Sequence, residues 1–342
     1  MAKCIELGLH TFGDVTRRRD GQPNPHAQVL RDMVDEGVLA DQAGVDFFGV
    51  GEHHRTDFAA SAPEIVLSAI AGRTRRIRIG TAATVLGTDD PIRLLQRFSS
   101  LAAVSSGRVE VMLGRGWFTE GFPLFGYDIG QYGSLFVEKL EQFTAILRSG
   151  AITRLDASRT GPVKHQIFPP LEAPLKAWLA VGATPESALR AANYDLALMV
   201  SVIGGPARRF LPLIQLYRQG CEKLGRPCRD IGVHSTGYVS ATDEQAREEF
   251  WPDYQRMRER LGIERKWPPI NLATFNAEID QGALYVGSPE TVARKIAATM
   301  RELGAVRFDM KYSVGALSHD RLASSIELYG SRVCPLVRDM LA

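Results

Sequence analysis

Four short stretches of the 342-residue chain carry side chains able to handle protons, anions or flat rings. The first is Gly51-Glu52-His53-His54-Arg55, whose adjacent histidines on an extended segment point to opposite faces. One turned into a pocket would give or take a proton near neutral pH. The same pair could instead join His10 as metal ligands, or both rings could be packing. His234, near the start of its strand, falls at the wrong end of the fold for that metal set. The second stretch is Gly80-Thr81-Ala82-Ala83-Thr84-Val85-Leu86. The third is Gly114-Arg115-Gly116-Trp117-Phe118, where two glycines leave room for a flat ring beside the backbone. The fourth, Val181-Gly182-Ala183-Thr184-Pro185-Glu186-Ser187, reads as a helix start with Thr184 as its capping hydroxyl and Pro185 in the first turn. Free amides there make an anion site that Gly182 lets a ligand approach, and Arg115 adds a bidentate contact to a phosphate. Taken alone, that stretch reads more readily as an ordinary cap. Gly287-Ser288-Pro289-Glu290 has the same grammar and is expected to be only a cap.

Each of these stretches follows a short apolar run, and the runs alternate with segments of helical period. Strands are expected at Ile5–His10, Val45–Val50, Ile77–Ala82, Val109–Leu113, Ala177–Val181, Leu196–Val200, Gly232–Val239 and Val306–Tyr312. Helices are expected at His26–Ala43, from Ser61, at Pro91–Ser105, Leu135–Arg148, Pro185–Asn193, Arg208–Leu224, Asp243–Leu261, Pro289–Leu303 and finally Arg321–Arg332. Eight strand–helix units in one chain of this length predict a (β/α)8 TIM barrel over 1–342, a single domain with function at the carboxyl ends of its strands. An open doubly wound sheet would want a Gly-x-Gly-x-x-Gly after the first strand, which is absent. Two stretches break the rhythm. Ala151–Pro170, with Gly161-Pro162 at its centre, is expected to be a hairpin-like insertion. Gly262–Leu284, with Trp267-Pro268-Pro269, is expected to be an irregular lid. Together they would frame a pocket lined by Trp117, Phe118 and Trp267.

Forty-one Lys plus Arg against 39 Asp plus Glu leave a net charge of +2, which argues against nucleic acid or an anionic membrane as partner. Cys4, Cys221, Cys228 and Cys334 form no C-x-x-C pair, a pattern that fits a reducing compartment better than a disulfide scaffold. No apolar run approaches the roughly 20 residues of a membrane span, and Met1–Leu9 reads into a strand rather than a signal peptide. A cytoplasmic protein is expected.

Read together, Glu52-His53-His54, Gly80-Thr81-Ala82-Ala83 with Val85-Leu86, Asp90-Pro91-Ile92-Arg93, Ser106-Gly107-Arg108, Gly114-Arg115-Gly116 and Phe125-Gly126 resemble the α subunit of bacterial luciferase. The likeness is collinear from about Phe48 to Asp128 and weaker toward both ends. It identifies the chain with the luciferase-like monooxygenase family. That resemblance implies FMN at the carboxyl end of the barrel, with reduced flavin and oxygen used to oxygenate a small organic substrate. It implies a dimer, here a homodimer, formed by helices near the second and third strands; Ile65, Leu67, Ile70, Leu94, Leu95 and Phe98 are candidates, equally placed to cover the barrel. By the same resemblance His53 is the catalytic histidine. Ala82-Ala83 is the pair joined by a non-prolyl cis peptide beneath the flavin ring, and Arg115 contacts the phosphate. Ala183, Thr184 and Ser187 fall on the phosphate-binding turn with Gly182, and Gly114 lies beside the flavin.

Gly114 stands where the luciferase α subunit has a reactive cysteine, Gly87 replaces a proline and Asp90 a histidine. These departures argue against light emission and long-chain aldehydes. The chain has no dinucleotide motif of its own, so a separate flavin reductase is the expected source of reduced FMN. No metal is expected. The competing readings are a deazaflavin-dependent hydride-transfer enzyme, a flavin-binding protein without turnover, and, last, a metal-dependent hydrolase.

Overall fold

The computed structural model describes residues 5–18, 20–155 and 162–342. Cys4 and Gly161, both singled out above, lie outside them. Eight strands run parallel: β1 (Glu6–Thr11), β2 (Phe47–Val50), β3 (Arg78–Thr81), β4 (Val109–Gly114), β5 (Lys176–Val181), β6 (Ala197–Ser201), β7 (Ile231–Val239) and β8 (Arg307–Lys311). Each pairs with the next, and β8 pairs back with β1, so the sheet closes on itself. Leu9 stands beside Phe48 on one side and Met310 on the other. This is the predicted (β/α)8 barrel.

Two-residue alternation along each strand divides the core. Leu7 and Leu9 pack among the helices with Val29, Met33, Leu67 and Ile70, all buried. Gly8 faces inward, where a Cβ would meet the Asp309 carboxylate at 2.1 Å, so glycine is required to let that acid sit inside. The barrel interior is built in tiers. At the amino ends of the strands, fully buried Arg307 donates from Nε to Asp309 (2.9 Å) and from Nη1 to Glu110. Glu110 also accepts from Trp178 Nε1 (2.7 Å), and Arg307 stacks on Phe47 at 3.6 Å from the ring centre. Above this floor lies a small apolar layer of Ala82, Met112, Trp178, Ala197 and Met199. Higher still, at the rim, Phe58, Phe118 and Leu261 cluster with Phe12, Met257 and Trp267.

The expected hairpin is present as an antiparallel pair, Ala151–Leu155 with Pro162–Gln166. The stretch Gly262–Leu284 is not irregular throughout. The preceding helix runs on to Arg265, and a further helix, Leu272–Asp280, starts where Asn271 accepts from the Thr274 amide at 2.8 Å. Its Phe275 and Ile279 are buried, and Lys295 Nζ donates to the Leu284 carbonyl at 2.7 Å, fixing the segment to the body. A last helix, Cys334–Leu341, follows a π turn at Tyr329–Val333 and was not anticipated. Leu67, Ile70, Leu94, Leu95 and Phe98 are at most 2% exposed and belong to the core; of the six interface candidates Ile65 alone is on the surface. No helix among the described residues is long and apolar enough to cross a membrane.

Candidate active site at the barrel rim

Loops after β1 to β4 are knitted together by backbone bonds before any side chain is considered. The Gly51 amide donates to Thr11 (2.8 Å), Glu52 to Ala83 (3.2 Å), and His53 to Ala60 (2.8 Å). Thr84 and Val85 pair back onto Leu113 and Gly114. The Ala82–Ala83 peptide bond is cis. A Cβ on Gly114 would come within 3.2 Å of the Ala83 methyl, and Gly116 takes φ +81° where a side chain would also strike Val85. These turns surround a cavity of about 500 Å³. Of the residues predicted from sequence, His53, Ala82, Ala83, Gly114, Arg115, Gly182, Ala183 and Ser187 all line it, as do Trp117, Phe118 and Trp267.

The two histidines after β2 do face apart. His54 bonds Glu52 at 2.9 Å, and Glu52 in turn accepts from the Val85 amide at 2.9 Å, so this histidine props the wall. His53 sits in the cavity between Phe12, Phe58 and Phe118, with ring centres 4.6, 4.5 and 5.2 Å away. Its Nε2 is buried without a hydrogen-bond partner. Burial, reinforced by the charges of Lys311, His54 and Arg55, pulls its pKa down to about 3, so the ring is neutral at pH 7. Arg55 turns outward as a clamp, donating to Asp57 (3.0 Å), Glu264 (2.7 Å) and Glu120, which ties three rim segments together.

Arg115 makes no ion pair among the described residues. It lies over Tyr132 at 5.8 Å and reaches the Thr184 hydroxyl at 3.4 Å. That hydroxyl does not cap its helix, contrary to expectation: it bonds Ser187 Oγ at 2.7 Å, because Arg115 and Ser187 offer it partners on the cavity side. Thr184 is thus the one predicted residue that reaches the cavity through neighbours rather than lining it. Space beside Gly182 is open, with no heavy atom within 4 Å of where a Cβ would stand. By contrast Ser288 accepts from the Thr291 amide at 3.4 Å, the plain cap expected of it.

Sequence reasoning missed the cavity floor. His234, expected at the far end, lines the cavity and bonds Ser201 at 2.5 Å, while its ring meets that of His10 at 5.1 Å. Burial, then the nearby Lys311 charge, lowers His234 to about 4. His10 is buried with neither ring nitrogen partnered, and burial followed by the charges of His234, Lys311 and Arg307 holds it well below its ordinary value. Lys311 pairs with Asp14 at 2.9 Å, and Ser313 donates to the same carboxylate at 2.6 Å. Ser201 and Lys311 are the last residues of their strands, so the carboxyl-end rule applied to all eight strands would have found them. No three His, Cys, Asp or Glu residues among those described converge on a metal position.

A closed parallel barrel whose cavity opens where the strands end is the architecture of a barrel enzyme, and this rim is rich in groups for proton and anion handling. The particular family follows from comparison: a model described as luciferase-like monooxygenase matches residues 10–307, and the chain belongs to that family. Alkanal monooxygenase alpha chain of Photorhabdus luminescens is 25% identical over 224 residues, 64% of this chain but only 61% of that one. The alpha chain of Photobacterium leiognathi is 23% identical over 351 residues, covering 92% and 95%. Monooxygenase RslO1 from Streptomyces bottropensis superposes with TM-score 0.83 at 20% identity, over 97% of this chain and 99% of that one. The oxygenating constituent of 3,6-diketocamphane monooxygenase from Pseudomonas putida, in complex with FMN, gives 0.77 at 18% over 98% and 99%. An F420-dependent secondary alcohol dehydrogenase in complex with an F420–acetone adduct gives 0.75 at 15% over 98% and 100%. At such identities the structural likeness is one of fold.

Proposed function

We propose that the chain is an FMN-dependent monooxygenase that uses reduced flavin and oxygen on a small organic substrate. The observation that carries this reading is the convergence of four separate strand ends on one cavity, with an arginine that pairs with no carboxylate among the described residues beside an open helix start. A phosphate fits that donor set: Arg115 supplies charge, Thr184 and Ser187 supply hydroxyls, and Gly182 and Ala183 leave the backbone accessible. The flat ring fits against Ala82, Ala83 and Gly114, where small residues line the wall. When bound in its reduced form, FMN supplies the electrons for oxygen activation. The chain's own part is to exclude water with the rim aromatics and to hold a neutral imidazole, His53, whose unpartnered Nε2 moves a proton at the reacting atoms. The same reading takes a separate reductase as the source of reduced FMN, and a cytoplasmic homodimer as the working form.

The test is a comparison of FMN with riboflavin, which lacks the phosphate. Arg115→Ala removes a charge-assisted contact worth about 1.5–3 kcal/mol, so it weakens FMN by roughly ten- to a hundredfold and riboflavin far less. Equal weakening of both rejects the phosphate role. A second reading, hydride transfer with a deazaflavin, draws support from the barrel neighbour bound to an F420–acetone adduct. Absorbance and fluorescence of the cofactor retained by the protein separate the two. Substrate-dependent oxygen consumption with reduced FMN and a panel of small organic substrates, above the spontaneous oxidation of free reduced flavin, separates an enzyme from a flavin carrier.

A further inference from the structure

Five charged residues line the cavity, and their partners divide them. Asp14 is taken by Lys311, and Glu52 by His54 and the Val85 amide. Two guanidinium groups remain, Arg115 and Arg258, neither with an ion pair among the described residues. If Arg115 serves the flavin phosphate, Arg258 is a second cation with no carboxylate paired to it among the described residues.

Arg258 comes from the helix Asp243–Arg265 and lies over the Trp267 ring, 4.4 Å from its centre. The chain turns back at Lys266, and the Trp267 amide donates to Gly262 at 3.1 Å, holding the indole beside the helix it follows. Trp267 stacks on Trp117 at 5.6 Å and 26°. Next to them are Phe12, Phe58, Phe118 and Leu261, a wall of ring faces and aliphatic carbon. Beside these rings Arg258 Nε is buried and has no acceptor among the described residues. Arg258 as a whole is half-buried, and the one buried donor nitrogen left without an acceptor is costly unless a ligand supplies one.

From this we infer that Arg258 is the anion-recognition residue of the substrate site, and that the substrate is a planar, ring-bearing monocarboxylate. Arg265 also lies over the Trp117 and Phe118 rings but donates to the Trp117 carbonyl and does not line the cavity, so the lining guanidinium on this side is Arg258 and it matches one carboxylate. A carboxylate matches the flat two-pronged donor edge of arginine, which a neutral amide does not. The ring body rests on the indole and phenyl faces while its acid group reaches Arg258. The inference deepens the monooxygenase reading and rests on it in one respect, that the flavin phosphate occupies Arg115.

The test uses 1-naphthoate and its neutral counterpart 1-naphthamide, titrated calorimetrically into the protein with and without FMN at low salt. Naphthoate is expected to bind at least about tenfold tighter than the amide, a 1.4 kcal/mol difference. Arg258→Gln abolishes that preference, Arg258→Lys keeps part of it, and Arg256→Gln, a charge removed from the same helix but outside the cavity, leaves it intact. Melting curves of each variant confirm that folding is unaffected, and the lysine variant decides the matter should the glutamine variant fail to fold. Equal affinity for the two probes, no binding of either, or a preference that survives Arg258→Gln overturns the inference. Flavin absorbance in the same samples reports FMN binding separately. FMN bound without a naphthoate preference sinks this inference alone, whereas failure to bind FMN sinks the flavin reading and leaves Arg258 to be judged on the flavin-free titrations.

Discussion

Replacing His10 by Leu removes one proton-binding group from the cavity floor, and its effect on acid stability follows from the surroundings of that ring. In the folded chain His10 is buried, unpartnered, and held far below its ordinary value by burial and by His234, Lys311 and Arg307. Once unfolded it titrates near 6.5. Between pH 7 and pH 5 the unfolded chain therefore takes up a proton that the folded chain refuses, and stability falls with pH. For a ring that stays neutral in the fold across the whole window, integrating gives at most about 2 kcal/mol. His234, with a value of about 4, and His53, near 3, stay neutral in the fold over the same range; the His234 contribution is the repulsion that arises only if both rings are charged, so it does not vary between pH 7 and pH 5. At an unfolding entropy of roughly 2.1 cal/mol/K per residue, 2 kcal/mol corresponds to about 3 °C in Tm for a chain of this size. The assay is thermal melting followed by circular dichroism, on wild type and His10→Leu, at pH 7 and pH 5. The variant should lose up to about 3 °C less than wild type on acidification. Equal losses would mean that His10 accepts a proton inside the barrel, and the picture of a neutral, dry floor would be wrong.

His53→Ala should leave FMN affinity within about twofold while cutting turnover by roughly 10²–10⁴-fold, the usual worth of a positioned acid–base group; unchanged turnover in a reduced-FMN oxygen assay removes His53 from the chemistry. Arg307→Met strands Asp309 in the barrel floor and leaves Glu110 with only Arg78 and Trp178 as partners, and should cost about 3–5 kcal/mol, visible as a marked drop in the urea midpoint. Asn271→Ala takes away the bond to the Thr274 amide and should cost about 1 kcal/mol, small enough that a loss several times larger would point to a different role for that residue.

Much of this architecture can be read before any coordinates. Apolar runs alternating with helical segments give all eight strands, because parallel strands buried on both faces have little choice of composition. The hairpin at Ala151–Gln166 is legible from its break in rhythm. The rim residues are legible because barrel chemistry collects where strands end. What escaped has physical causes. Cys334-Pro335 looks like a stop, yet proline in a first helical turn gives up no bond, so the helix to Leu341 forms. Helix Leu272–Asp280 is announced by Asn271 and by Leu272, Phe275 and Ile279, a signal masked by the two prolines before it. His234 was assigned to the wrong end because β7 is nine residues long and barrel strands are staggered, so a residue early in one strand stands level with the last residue, Ser201, of its neighbour. Thr184 shows the limit of motif grammar: position marks it as a cap, while its partners turn the hydroxyl toward Arg115.

The packed floor of Arg307, Glu110, Asp309 and Trp178 leaves the barrel a well with one mouth. Traffic through a well is a matter of sequence: whatever rests deeper must descend first and climb out last. On the flavin reading, the cofactor ring goes down before the acid substrate arrives under the tryptophans, and oxidised product must clear the mouth before spent flavin can be exchanged. Strict order of addition would then be a property of the plug rather than of any residue that touches a ligand.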